Sequence, residues 1–190
     1  KTNKLLTEGG YSYTYHYSKE TLTENETLSD KEIKSHENKI LVTGASGGLG
    51  QGILKKLGDK ATGISLSNIS NAIRVDSYSE LSDLEELKNI QAIVHCAGPN
   101  PDNMRLTSLE NPKISIEHNI CNPLQDIIAL SKLLIKNGNT NASLVIIGSS
   151  FSSSGRHNWS MPLYSLSKSL IPNLTKILAL ELSRFDKKII

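Results

Sequence analysis

The chain has 190 residues, 37% of them hydrophobic and 21% charged, with a net charge of +2. That is enough apolar material for one domain with a real core, and the near-neutral balance without a basic run gives no argument for nucleic acid. Cys96 and Cys121 are too few for a disulfide framework, no apolar stretch approaches the roughly 20 residues of a membrane span, and "KTNKLLTEGG" has no apolar signal core, so a reducing, cytoplasmic setting is expected.

In chain order, "GGYSYTYHYSKE" comes first. Tyr11, Tyr13, Tyr15 and Tyr17 alternate with polar residues, which predicts a strand with one aromatic face. Residues 1–18 are read as a remnant of an upstream domain or as an extension, because a lone strand needs a sheet to join. Residues 19–38 are charged and nearly free of large apolar side chains, and read as a polar linker. From residue 39 the character changes. Ile40 to Val42 predict a buried strand, a glycine-rich turn follows, and Ile53, Leu54 and Leu57 have helical spacing.

Strands are then predicted at 61–66, 72–76, 92–98 (ending at Gly98) and 143–150, with helices at 79–89 (capped by Ser79), 113–137 and 162–184. Apolar strands alternating with helices predict an α/β fold, a Rossmann-type doubly wound parallel sheet with helices on both faces. Lys188 to Ile190 read as the start of one more strand. With Lys1 in place of a methionine, they predict that 39–190 is incomplete at its carboxyl end and that the chain is the middle of something longer.

"VTGASGGLG" sets Gly44, Gly48 and Gly50 between a strand and a helix, where glycines permit a tight turn and close approach of a pyrophosphate to the helix amino terminus. A glycine-rich turn without a ligand is the plainer alternative. Tyr164 and Lys168 are four apart and share a helix face. A phenol of pKa about 10 is a poor acid–base group at neutral pH, and a nearby ammonium favours its phenolate, so the pair has a chemical reason to exist. An ordinary surface pair is the competing view.

Four ordered motifs together make a specific resemblance. Thr43, Gly44, Gly48 and Gly50 match T-G-x-x-x-G-x-G, "HCAG" (95–98) is similar to N-N-A-G, Asn119 matches a helix asparagine, and "YSLSK" (164–168) matches Y-x-x-x-K. Over residues 39–190 the chain resembles the short-chain dehydrogenase/reductase family. Gly47 also fits the T-G-x-x-G-x-x-G of its sugar-nucleotide epimerase branch, but Ser150 lies fourteen residues before Tyr164. That short interval resembles the compact reductase branch.

The resemblance implies that Tyr164 is the acid/base, that Lys168 holds the ribose and tunes Tyr164, and that Ser150 (Ser149 in reserve) polarises a carbonyl. It gives Asn119 a water-mediated relay to Lys168. Pro123 would help open the helix ladder there, although a polar residue in that helix could simply bond to backbone. Thr43, Gly44, Ser46, Gly47, Gly48, Leu49, Gly50, Ser67, Asp76, Ala97 and Gly98, with Tyr164 and Lys168, are the implied cofactor contacts. His95 and Cys96 replace two asparagines and read as packing of the cofactor strand, with no metal site expected. Pro172, inside the predicted helix, predicts a kink close to Lys168.

"ISLSNIS" carries neither acid nor base where an NAD enzyme often has an acid, which tilts the choice from NAD to NADP; the direction of Arg74 is left open. The expected activity is an NAD(P)-dependent oxidoreductase interconverting a ketone and a secondary alcohol, 3-oxoacyl reductase-like by resemblance. The alternatives are a non-catalytic dinucleotide-binding scaffold and a nucleotide-sugar epimerase or dehydratase. Arg156, His157 and Trp159 either face substrate or simply decorate an exposed loop, and the two long helices resemble those that pair subunits into a homodimer or homotetramer.

Overall fold

The computed structural model describes residues 40–84, 87–98, 105–150 and 161–190. The tyrosine-rich segment, the 19–38 linker, Ser152 to Ser154 and Arg156, His157 and Trp159 lie outside the described residues. At the centre is β1 (Ile40–Thr43), with Leu41, Val42 and Thr43 fully buried. Flanking it are β2 (Ala61–Ser65) and β4 (Ile90–His95); β3 (Ala72–Arg74) lies outside β2, and β5 (Gly138–Ile146) and β6 (Lys188–Ile189) extend the other side. The order is β3-β2-β1-β4-β5-β6 and every pairing is parallel. Strand order reverses between β1 and β4, so their carboxyl ends open the crevice where such sheets bind ligands.

Helices supply the crossovers: α1 (Gly48–Leu57), α2 (Pro112–Ile116), α3 (Asn122–Asn137) and α4 (Pro162–Ser183). Leu41, Ile64, Ile93 and Leu144 of the sheet form one core cluster with Leu130, Leu133 and Leu134 of α3 and Leu178 and Leu182 of α4. Burying that apolar set supplies the main drive for the sheet to close onto its helices. The link from β2 to β3 has no helix, only residues 66–71. Among the described residues no helix is long and apolar enough to cross a membrane.

The parallel sheet with its covering helices that the sequence predicts is present, with four corrections. Residues 78–83 (Tyr78–Asp83) form a 3-10 helix in place of the α-helix predicted for 79–89, and its cap is Ser77, whose side chain accepts from the N–H of Ser79. Tyr78 and Leu81, both fully buried, are three apart, and a 3-10 turn aligns i with i+3 over the core. Strand β4 stops at His95 rather than Gly98. Strand β5 runs from Gly138 to Ile146, not 143–150, because its partner ends where His95 faces Ile146; Ser149 and Ser150 therefore lie past the sheet edge. The helix predicted for 113–137 contains a π-turn over Glu117–Cys121 between α2 and α3. Pro123 has no N–H to offer the carbonyl four residues back, that of Asn119, and the wider turn sits where that bond is missing.

Candidate active site

The glycine-rich turn separates glycines required by the protein from glycines that leave space. Gly44 has φ +70°, and a Cβ there would lie 2.5 Å from the Ala97 nitrogen, so β1 and β4 converge only with glycine at this point. A Cβ on Gly50 would lie 2.3 Å from the Gly44 carbonyl oxygen, so α1 starts this close to the turn only without a side chain. Gly48 meets nothing within 4 Å, and Gly47 meets only the Gly44 oxygen at 3.4 Å. Gly47 caps α1 without a side-chain bond, and the N–H of Gly47 is bonded to the Gly44 carbonyl. Ser46, Gly47, Gly48 and Leu49 are exposed at the carboxyl edge of the sheet. The first N–H groups of a helix have no carbonyl one turn back to bond, so this end presents donors and the positive end of the helix dipole beside open space. A pyrophosphate fits that space and that polarity.

Beneath the turn, Thr43 Oγ1 and His95 Nδ1 share a buried hydrogen bond of 2.7 Å, and the Tyr78 ring stands edge-on to His95 at 6.0 Å. Burial, with the Lys168 charge second, lowers the His95 pKa to about 4, so the ring is neutral. Burial raises the Tyr78 phenol to about 12, the Asp126 charge adding to the shift and hydrogen bonds from the Gly44 backbone and the Thr43 side chain opposing it. The HCAG variant is thus a packed polar joint between β1 and β4. Tyr78, which sequence reasoning missed, completes it; the signal available was a tyrosine two residues after Asp76.

Lys168 lies on α4 and is 7% exposed. Its ammonium donates to the Ile147 carbonyl at 3.0 Å and lies 5.9 Å from the centre of the Tyr164 ring, within cation–π range. A Cβ on Gly98 would come to 3.2 Å from Nζ, so the glycine ending HCAG keeps the approach to that ammonium open. Burial lowers the Lys168 pKa, with the Cys96 thiol opposing, and burial raises that of Cys96. Pro172 sits inside α4, yet the helix continues from Pro162 to Ser183 and Lys168 keeps both contacts. The anticipated kink has not separated Lys168 from Tyr164.

Asn119 is buried in the π-turn, which packs against α4, and its Nδ2 donates to the Ser115 carbonyl at 2.9 Å. This is the backbone bonding weighed against a relay, and it fixes the side chain. A small cleft opens between the π-turn, α3 and α4, with Gly98, Ile120, Pro123, Ile147 and Lys168 among its walls. The structure therefore gathers the glycine turn, Ala97, Gly98, Tyr164 and Lys168 around the β1–β4 crevice, with the Asn119 turn beside them. Ser67 and Asp76 lie farther out, at the ends of β2 and β3: the Ser67 N–H donates to Ser65 Oγ at 3.0 Å, and Asp76 pairs with Arg74 at 2.6 Å.

This arrangement of sheet, switch point and glycine turn defines a doubly wound dinucleotide-binding fold. Neither a family sequence model nor a curated protein matches the chain. Solved structures do. A short chain dehydrogenase family protein from Francisella tularensis subsp. tularensis SCHU S4 matches at 23% identity and TM-score 0.63, over 78% of this chain and 65% of that one. A short chain dehydrogenase from Burkholderia cenocepacia J2315 in complex with NADP matches at 20% identity and TM-score 0.61, over 80% and 69%. Sorbitol-6-phosphate 2-dehydrogenase from Erwinia amylovora matches at 19% identity and TM-score 0.63, over 78% and 68%. The chain has the short-chain dehydrogenase/reductase fold. It spans about two thirds of the length of each of these three proteins.

Proposed function

We propose that the chain is part of an NAD(P)-dependent oxidoreductase of the short-chain dehydrogenase/reductase family, interconverting a ketone and a secondary alcohol. The observation that carries this is the position of Lys168. It is a buried ammonium held by the Ile147 carbonyl, beside the Tyr164 ring and under the open face of Gly98. Such a lysine serves little structural purpose that a neutral residue would not serve at lower desolvation cost. Its chemical use is the set of donors it offers, beside the Tyr164 ring, to ribose hydroxyls reaching over Gly98.

In this reading Gly47, Gly48 and the first turn of α1 hold the pyrophosphate, Ala97 and Gly98 line its path, and Asp76 and Ser67 face the adenosine end. When bound, a nicotinamide dinucleotide supplies or takes up the hydride. Tyr164 donates a proton to the carbonyl oxygen or takes one from the alcohol, and Ser150 hydrogen-bonds that oxygen. The turn holding Asn119 lines the route by which a proton reaches Lys168 through water. NADP is the favoured coenzyme, because no acid stands at the end of β2 to repel a phosphate. A 3-oxoacyl thioester is one candidate substrate. The proposal extends to a second copy as partner: Leu124 and Ile128 of α3 and Leu166, Leu170 and Ile177 of α4 are exposed apolar residues on the two long helices.

The test is oxidation of NADPH by the full-length protein across a panel of ketones, with Tyr164→Phe beside it. Removing a positioned acid–base group lowers turnover by about 10²- to 10⁴-fold. Equal turnover by Tyr164→Phe and wild type rejects the role of Tyr164. Coenzyme binding without turnover of any ketone favours the scaffold alternative, and tightly held NAD without net consumption favours an epimerase.

A further inference from the structure

The N–H that opens the glycine-rich turn finds its partner on another element. Gly44 takes a φ of +70° as the chain leaves β1, and its carbonyl accepts from the N–H of Gly47 at 3.0 Å. A Cβ on Gly50 would come to 2.3 Å from the same oxygen, so the setting of Gly44 decides where α1 begins. The backbone on either side is tied to the sheet. The Thr43 carbonyl accepts from the Cys96 N–H at 3.2 Å, and the Ala45 N–H donates to the Ile64 carbonyl at 3.2 Å. Between them, the Gly44 backbone and the Thr43 side chain both bond to the Tyr78 phenol. The Gly44 bond favours the ionised phenol, which only a donor does, so the N–H of Gly44 donates to Tyr78 Oη. Tyr78 is 1% exposed, on the 3-10 helix that packs against α3, with Leu81 beside it in the core.

We propose that Tyr78 is a positioning residue for the coenzyme: its hydroxyl holds the Gly44 N–H, and through Gly44 it sets the turn that receives the pyrophosphate. This rests on the dinucleotide reading of that turn. A buried tyrosine needs one partner for its hydroxyl, and Thr43, itself bonded to His95 at 2.7 Å, supplies it. The bond to Gly44 is a second one, made because a phenol accepts as well as donates. Phenylalanine would fill the same space and leave that buried N–H without an acceptor. Glycine resists rotation less than any other residue, so Gly44 would turn to find another partner and carry Gly47 with it. The coenzyme would then have to re-form the turn as it binds, which lowers affinity. Tyr78 is buried beneath the turn and acts on the ligand only through Gly44.

The experiment compares wild type with Tyr78→Phe, both full-length, at least about 15 °C below their melting temperatures. Calorimetric titration with NADPH gives affinity, and hydrogen exchange followed by NMR reports each backbone amide. Tyr78→Phe is expected to bind NADPH about tenfold or more weakly. Exchange at Gly44 and Gly47 should quicken about tenfold more than it does at Leu41 and Ile93 in the core. NADPH affinity within about threefold of wild type overturns the proposal. Exchange that quickens as much at Leu41 and Ile93 as at Gly44 overturns it too, because that marks a general loss of stability. If Tyr78→Phe does not fold, the wild-type amides decide. Gly44 should then exchange about a hundredfold or more slower than Gly48 and Leu49, which open α1, and equal rates overturn the proposal. In each of these failures, NADPH binding by wild type leaves the dinucleotide reading standing. Wild type that binds neither NADPH nor NADH removes that reading, and with it the role of Tyr78.

Discussion

Thr43 Oγ1 and His95 Nδ1 lie 2.7 Å apart in a buried bond that ties β1 to β4 directly beneath the glycine-rich turn. The His95 pKa is lowered to about 4 in the folded protein, against 6.5 for an ordinary imidazole. Between those values the unfolded chain takes up a proton that the folded ring refuses. The His95 contribution to stability is therefore full above pH 6.5, is lost as pH falls towards 4, and stays lost below; a shift of this size corresponds to about 3 kcal/mol at most. Asp126 runs the other way. Burial raises its carboxyl to about 6 from 3.8, so its contribution is full below 3.8 and is lost as pH rises through 6. Being less buried than His95, it offsets only part of the slope. Melting temperatures of Asp126→Asn should fall more steeply than those of wild type from pH 6.5 to 4, and adding His95→Asn should flatten the curve. If the added His95→Asn leaves the slope unchanged, His95 is not a buried neutral ring.

Gly48 and Gly50 look alike in the sequence, but they should respond oppositely to alanine. At Gly50 the new Cβ meets the Gly44 carbonyl oxygen at 2.3 Å, so Gly50→Ala must displace either the turn or α1. Overpacking of this kind costs about 1–3 kcal/mol. At Gly48 the Cβ meets nothing within 4 Å, and alanine in a helix gains about 0.5–1 kcal/mol over glycine. Gly48→Ala should therefore melt at or above wild type while binding NADPH at least about tenfold more weakly, because its methyl group stands where the pyrophosphate would come in. Tight NADPH binding by Gly48→Ala would remove the ligand cradle from this turn.

How much of this was legible follows from the range of each signal. The parallel sheet and its helices were readable because buried strands such as Ile40–Thr43 carry continuous apolar runs between turn residues. The strand ends were not. β5 stops at Ile146 because its partner stops at His95, and no local feature of "SLVIIGSS" encodes that. The 3-10 helix at Tyr78–Asp83 depends on which side chains the core accepts, and its apolar spacing also suits an α-helix. Of the candidate residues, Gly44, Gly48, Gly50, Tyr164 and Lys168 stand in short motifs whose spacing a single sequence displays. Tyr78 and the Ile147 carbonyl act through contacts across the fold, and the direction of Arg74 depends on sheet register; a single sequence reveals none of these.

Gly98 and Lys168 supply a further test. A Cβ at position 98 would lie 3.2 Å from Nζ and 3.7 Å from Cε, and the neighbour that must yield is the tip of a flexible side chain. Gly98→Ala should therefore fold with a melting temperature within about 2 °C of wild type, since substitutions that relax this easily cost well under 1 kcal/mol. The ammonium shifts by a few tenths of an ångström and the path over residue 98 narrows, so turnover should fall about tenfold or more. Unimpaired turnover would show that the ammonium needs no clearance at this point.

Pro172 is where the sequence predicts a kink, and α4 continues through it to Ser183. Proline four residues after Lys168 leaves that carbonyl without its helical donor, and an interior proline costs a helix about 3 kcal/mol. Part of that cost is offset because proline also restricts the unfolded chain. Pro172→Ala should therefore stabilise the protein by about 1–2 kcal/mol, read as a rise in denaturation midpoint. Lys168 is positioned by the Ile147 carbonyl and the Tyr164 ring whether or not its own carbonyl is bonded, so turnover should change by less than about threefold. A tenfold change in turnover would mean that the proline, and not those two contacts, sets the place of the ammonium.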